Sequence, residues 1–409
     1  MMKIVKIKYL IYIYILSLLI IGVFGFFGNN NNVEISYALK YFSRNDLDVG
    51  RSYFLFGMIP STVSNIIGVL LLLYIAANGH HSRFSAYLST RYKSDLLQVS
   101  ISFAYILSIL ACINFPFALL TGFIRKDIFG LMNTDLFTWL ARYFSATLIY
   151  LLLICVSLSI LAIVIIKTKR FIIHIPIAFF ILSLIFTIIY PRLITPIFYN
   201  STKLPDNELR IKINRLINRS DIDIEDIYVL NKSRYSSAIN AYMTGIGADR
   251  RIYLYDTLVN NFEAEEILSV IGHELCHYIE EHMLLGIALG TVGIIIALPL
   301  LNILSTYFTG KDLKCIMRPE GHPFLLILLI FIIFISKPIG NNVSREMERR
   351  ADEYTINITE NPDTFIRMKT RMTRINRSYI LPNPLFVWFY YTHPPILERI
   401  RIAEKYKQL

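Results

Sequence analysis

Residues 273–277 read His-Glu-Leu-Cys-His, an HExxH. On a helix, His273 and His277 stand one turn apart on one face. Both imidazoles then reach a single Zn2+ at about 2.0–2.1 Å, with Glu274 offset toward the water that the ion activates. Zinc lowers the pKa of such a water toward about 7, and a carboxylate accepts its proton during attack on a peptide carbonyl. The motif is short, and a helix with two unremarkable histidines has the same spelling. A third ligand separates the two readings. In Ser344-Arg345-Glu346-Met347-Glu348-Arg349-Arg350-Ala351-Asp352, Glu348 and Asp352 are four apart. One helical face then carries a candidate ligand, Glu348, and a carboxylate, Asp352, that accepts the outer N–H of a ligating histidine. Taken alone, this stretch also suits a solvated charged helix, because Glu346, Arg349 and Arg350 pair at helical spacings.

These residues must be positioned by a chain that is mostly apolar. Of 409 residues, 55% are hydrophobic and 17% charged, with a mean hydropathy of +0.50. A soluble domain carries about 25% charged residues, so an ordinary cytosolic enzyme is excluded. Seven runs, near 9–27, 54–77, 99–124, 139–166, 171–190, 283–308 and 322–337, are long enough to cross a membrane, which takes about 20 helical residues. The first follows Lys3, Lys6 and Lys8 and ends at Gly28 and four asparagines. No small-residue cleavage pattern is present, so it reads as a retained span. The net charge of +11 resides mostly in short segments flanking these runs, which is anchoring and topology rather than nucleic-acid binding. Cys112, Cys155, Cys276 and Cys315 are scattered, with no disulfide framework or CxxC metal pair.

Two segments are polar, 191–282 and 340–409. With seven spans they emerge on the same face, where together they can build one site. Pro205-Asp206-Asn207 starts a helix through about Asn218, and Ile227–Leu230 and Arg251–Tyr255 read as short strands. Between the strands lies Asn240-Ala241-Tyr242-Met243-Thr244-Gly245, with Gly247 as further punctuation. Asn260-Asn261-Phe262-Glu263 has the form of a helix N-cap, followed by apolar residues through Ile271. The HExxH helix is expected to run into the 283–308 span, and the Glu348 helix to follow the 322–337 span. The expected organisation is a five-span membrane domain (1–190), a metalloprotease domain (191–282), two further spans (283–337) and a C-terminal segment completing the site (338–409).

Four stretches resemble those of the type I CAAX prenyl proteases, integral-membrane zinc endopeptidases with a seven-helix membrane domain. They are Tyr190-Pro191 through Leu204-Pro205; Ser236–Gly245 with Arg250-Arg251-Ile252 and Asp256-Thr257-Leu258; the HExxH with His282 behind it; and Ser344-Arg345…Glu348…Ala351-Asp352 with Thr392-His393-Pro394-Pro395 and Glu398-Arg399. Strong resemblance covers about 180–405. It implies His273, His277 and Glu348 as zinc ligands and Glu274 as the base, with Asp352, Arg345 and Arg399 supporting them. It implies that Asn240, Ala241, Tyr242, Thr244 and Gly245 form an edge strand that pairs with an extended substrate. His393 matches a family histidine and is expected to donate to the developing oxyanion. The sequence departs from the family at Cys276, where glycine is usual, and at Tyr278, where tryptophan is frequent. Helical phase points Cys276 away from the metal, into packing. His282 faces either the chamber or the interface, and His80, His81, His174 and His322 read as structural.

The expected fold is mainly α, a seven-transmembrane-helix domain carrying a gluzincin-like zinc metalloprotease domain with a short β-sheet. The expected function is zinc-dependent peptide hydrolysis, removing the C-terminal tripeptide of prenylated CAAX proteins. One Zn2+ per chain, a peptide or prenylated-protein substrate, a surrounding bilayer and a monomeric state belong to this reading. The catalytic domain would face the cytosol, from the endoplasmic reticulum in a eukaryote or the inner membrane in a bacterium. Lys405-Tyr406-Lys407-Gln408-Leu409 is compatible with retrieval to the endoplasmic reticulum. Alternatives are a membrane quality-control metalloprotease without prenyl specificity and, in another class, a seven-span transporter or receptor.

Overall fold

The computed structural model describes residues 2–220, 222–245 and 250–408, and side chains from Lys6 onward. Gly247 and Leu409, named above, lie outside them. Among the described residues, seven helices are long and apolar enough to cross a membrane: Lys6–Phe27, Arg44–Ala77, Asp95–Ile128, Leu136–Lys167, Phe171–Phe198, His282–Thr309 and Pro319–Thr359. Each contains one of the expected runs and extends beyond it at one or both ends, because polar residues next to the runs cap helices rather than begin loops. Ser43 caps through Asp46, whose carboxylate accepts the Ser43 N–H in return, and Ser94 and Asp135 cap the next two long helices.

The last span differs most from expectation. Helix His322–Thr359 continues without a break through Glu348 and Asp352. Its polar positions after Lys337 bond sideways: Asn341 donates to the Phe389 carbonyl at 2.6 Å, and Arg345 to the Tyr391 carbonyl at 2.6 Å. The HExxH helix, Ala264–Ile279, does not run into its span either. Glu281 takes a left-handed conformation (φ 50°), and a new helix starts at His282. Its N-cap also lies elsewhere than expected. Asn260 and Asn261 close a short helix, Asp256–Asn261, and Glu263 forms a capping box with Glu266.

The polar segment folds around a four-stranded sheet: β1 (Ser201–Lys203), β2 (Asp226–Leu230), β3 (Ala241–Thr244) and β4 (Arg251–Tyr255), in spatial order β1-β2-β4-β3. β2 and β4 are parallel, and the outer strands antiparallel to them. β1 has three exposed residues with no alternation and escapes sequence reading; its register against β2 holds it. Tyr228, Tyr253 and Tyr242 stack across the sheet at 5.4 and 5.1 Å. The molecule has two apolar cores. One joins the sheet to helices, with Ile213, Ile252, Leu254, Ile271, Leu275 and Phe365 in it. The other lies among the membrane helices around Ile11, Leu72, Phe103, Ile165 and Leu325. Leu148, Leu152, Ile296 and Ile303 remain exposed on spanning helices, as lipid-facing residues should.

Candidate active site

The HExxH helix packs along the lower half of the Glu348 helix. Gly272 allows the close approach: a Cβ there would lie 3.4 Å from Ile358 and 3.5 Å from Thr355, so a side chain larger than alanine would push the helices apart. The approach brings Glu348 Oε2 to 3.0 Å from His273 Nε2, and Glu348 Oε1 to 3.3 Å from His277 Nε2. One donor atom from each residue lies within 4.8 Å of the others. Two imidazoles and one carboxylate, from two helices, are a donor set that could hold a divalent metal ion.

The outer nitrogen of each imidazole lies close to a polar side chain. His273 Nδ1 lies 3.1 Å from Asp352 Oδ1, although off-angle for a good hydrogen bond. Asp352 is fully buried and receives a bidentate pair from Arg399, at 2.6 and 2.5 Å. Lys369 Nζ stands 3.5 Å from the same carboxylate. Burial, with Arg399 beside it, brings Lys369 down to about 8, against the pull of Asp352 and Glu348. Lys369 was not a sequence-level candidate. It arrives on helix Pro362–Ile375, which docks through buried Glu266 to Arg367 and Arg371. His282, left open above, also finds a place. The left-handed Glu281 turns it back, and its Nδ1 meets His277 Nδ1 at 2.8 Å while Nε2 reaches Glu280 at 3.1 Å. A His277 Nδ1–H donating to His282 leaves His277 Nε2 free as a ligand.

Glu274 and His393 both line a cavity of about 720 Å³ that also includes Tyr53 and Lys126 from the membrane helices. Burial raises the Glu274 carboxyl above its ordinary range, against the opposing effect of His273 and His277. His393 Nε2 stands 3.3 Å from Glu348 Oε1 and its side chain is 57% exposed, so it reaches the cavity and the expected ligands together. Burial lowers His393, with Glu348 opposing. A largely neutral imidazole still donates a hydrogen bond. Arg345, expected beside the ligands, instead holds the carbonyls of Val387 and Tyr391 at the end of helix Pro384–Tyr390. Its effect on His393, two residues further, is indirect.

β3 lies at the sheet edge, and among the described residues no strand pairs with its outer side. Ala241, Tyr242 and Thr244 belong to it, and Asn240 and Gly245 flank it. Tyr278 donates to the Gly245 carbonyl at 2.6 Å, tying the HExxH helix to the strand. At the other end Asn376 clamps the Ile239 backbone, accepting its N–H at 2.9 Å and donating to its carbonyl at 3.1 Å. Nothing local marks Asn376 in the sequence. Cys276 is fully buried, and burial pushes its thiol up to about 12, as suits packing.

Comparison with known proteins follows this geometry closely. Residues 203–407 match peptidase family M48, and residues 40–200 match the CAAX prenyl protease N-terminal domain of five membrane helices. The chain belongs to peptidase family M48, in its type I CAAX prenyl protease branch. A Bacillus subtilis protein named "Uncharacterized metalloprotease YhfN" is 33% identical over 231 residues, 54% of each chain. The "CAAX prenyl protease 1 homolog" of Arabidopsis thaliana is 34% identical over 237 residues, 55% of this chain and 54% of that one. The chain thus spans about half the length of the curated relatives it matches. The crystal structure of S. mikatae Ste24p shares the fold, with a TM-score of 0.83 over 98% of this chain and 99% of that one, at 20% identity.

Proposed function

We propose that this protein is a membrane-embedded zinc endopeptidase that removes the C-terminal tripeptide of prenylated CAAX proteins on the cytosolic side. The supporting observation is a convergence: His273 of the His273–His277–Glu348 cluster, Glu274 and His393 line one cavity together with Asn240, at the start of the edge strand, and with Tyr53 and Lys126 of the membrane helices. His273, His277 and Glu348 would hold the zinc, which supplies Lewis-acid polarisation of the peptide carbonyl and a more acidic attacking water. Glu274 accepts the proton of that water and passes it to the leaving amine. His393 donates to the oxyanion as it develops. β3 holds the substrate backbone by ladder hydrogen bonds, which do not depend on side-chain identity. Asp352 and His282 fix the two imidazoles in orientation, and Arg399 and Lys369 keep Asp352 ionised.

The test uses two peptides that end in the same CAAX residues, one with a farnesylated cysteine and one without. Cleavage of the lipidated peptide alone, lost in Glu274→Gln and after chelation, supports prenyl-protein processing. Glu274→Gln is expected to retain zinc while activity falls about 10²- to 10⁴-fold. Equal cleavage of both peptides would favour the second reading, a metalloprotease without prenyl specificity. No cleavage and no bound zinc would overturn both.

A further inference from the structure

The cavity wall opposite the HExxH helix is basic. Lys126 and Lys232 both line it, and they face each other closely enough to repel. Among the described residues neither has a carboxylate partner. Lys232 donates to the Tyr199 hydroxyl at 2.7 Å and lies over the Tyr199 ring. Arg125, beside Lys126, lies over the Tyr53 ring at 4.3 Å, and its buried Nε makes no hydrogen bond. Glu274 is the one carboxylate among the described lining residues, and the cavity's other cations, Lys369 and Arg399, are committed to Asp352. Two uncommitted ammonium groups at the edge of an apolar wall are costly unless an anion joins them.

Their placement is built, not incidental. Lys126 follows a π-helical turn over Leu120–Ile124 at the end of a long helix. The loop after it is joined to the segment that precedes β3: Met132 bridges Ser236, the Ser237 N–H donates to the Leu131 carbonyl at 3.3 Å, and Asn133 donates to the Ser233 carbonyl at 2.9 Å. A lysine from the membrane helices and a lysine from the sheet domain are thereby held at the Asn240 end of the edge strand.

A peptide laid antiparallel on β3, the better-paired arrangement, runs from the Thr244 end toward the Asn240 end. Its C-terminal side is thus directed at the two lysines, beyond Glu274. Every peptide with an unblocked C-terminus carries an anion at that end. We infer that Lys126 and Lys232 bind the free α-carboxylate of the substrate and so favour cleavage of bonds a few residues from a C-terminus. This rests on the peptidase reading and assigns its length specificity. Like pairing along the edge strand, carboxylate capture is indifferent to side-chain sequence. Charge-assisted contacts of this kind amount to about 10- to 100-fold in affinity.

The test compares three peptides of identical sequence around the cleaved bond, using the full-length zinc-loaded protein. One ends in a free acid, one in an amide, and one continues for ten further residues. The acid is expected to have a KM about 10- to 100-fold below the other two. Lys126→Gln and Lys232→Gln should each raise the KM of the acid about tenfold and leave the amide unchanged; Lys126→Arg should restore the acid. Binding of acid and amide to Glu274→Gln, followed by fluorescence anisotropy, should show the same preference without turnover. Equal treatment of acid and amide by the wild type, with cleavage still dependent on Glu274, overturns the inference and leaves the peptidase reading standing. Equal losses for acid and amide in the lysine variants would mean a structural role and also overturn it. No Glu274-dependent cleavage of any of the three overturns both.

Discussion

Two pairs of histidines lie at opposite ends of the same long helix and are put to different use. At its start, His322 is completely buried, stacked on Phe103 at 3.8 Å, and joined to His81 through the Ser102 hydroxyl, at 2.7 and 3.0 Å. The remaining partners are the carbonyls of Pro319 (2.6 Å) and Met317 (3.1 Å). At the other end, about 39 Å along the axis at 1.5 Å per residue, Glu348 meets His273 and His277. Both pairs are ordered and largely removed from solvent, so burial alone does not distinguish them. The difference lies in the partners. His81 and His322 make their hydrogen bonds to hydroxyl and carbonyl oxygens, and the nearby Glu320 carboxylate only partly offsets the burial that favours a neutral His81. His273 and His277 share a carboxylate at both Nε2 atoms, their outer nitrogens lie beside Asp352 and His282, and His273 lines a cavity. Converging donors with an ionised oxygen are what a divalent metal ion requires, whereas an imidazole among carbonyls suits packing.

The comparison would break if zinc followed the wrong pair. His273→Ala and Glu348→Ala are expected to abolish stoichiometric zinc, read by atomic emission, and to lower peptide cleavage by roughly 10³-fold or more. His81→Ala and His322→Ala should leave zinc per chain unchanged. Stability sharpens the contrast next. Asp352→Asn leaves Arg399 and Lys369 buried without their anion, and is expected to cost about 3–5 kcal/mol in thermal or denaturant unfolding. Ser102→Ala, at the other pair, removes neutral hydrogen bonds and should cost about 1–3 kcal/mol.

Acid titration separates the pairs with opposite signs. Burial depresses His81, with the Pro319 carbonyl opposing. Below the ordinary histidine value near 6.5 the unfolded chain therefore binds the proton first. Stability falls as pH drops through that window, and His81→Gln should flatten the slope. For His277, burial also lowers the pKa, but Glu348 and Glu274 outweigh it and the net shift is upward. Zinc must displace that proton, so apparent zinc affinity should begin to fall while pH is still above the ordinary value. A metal-buffered titration from pH 8 to 6 reads this directly. A zinc affinity that stays flat to pH 6 would contradict the charge arrangement at the site.

Much of the fold was readable because its signals are local. Seven apolar runs mark seven helices among the described residues, and the β-branched and aromatic run Arg251–Tyr255 marks β4 with its bounds as observed. What escaped reading depends on contacts between distant segments. β1 is a strand because β2 is beside it, and the 337 boundary vanished because Asn341 and Arg345 spend their polar groups on helix Pro384–Tyr390. Lys369 and Asn376 sit on an amphipathic helix and at its end, where nothing in their neighbourhood distinguishes them from surface residues.

The chain's own order thus determined the chemistry: an HExxH on a helix, a carboxylate pair four apart, and enough apolar length to place both beside a bilayer. Those features follow from residue type and helical period, which a sequence carries in full. Only the tertiary structure decided which groups complete the site. The left-handed turn at Glu281 brings His282 onto His277, the docking of helix Pro362–Ile375 brings Lys369 onto Asp352, and the bridge between Met132 and Ser236 sets Lys126 against Lys232. Each joins residues through packing and backbone conformation, and such contacts have no period for a sequence to display.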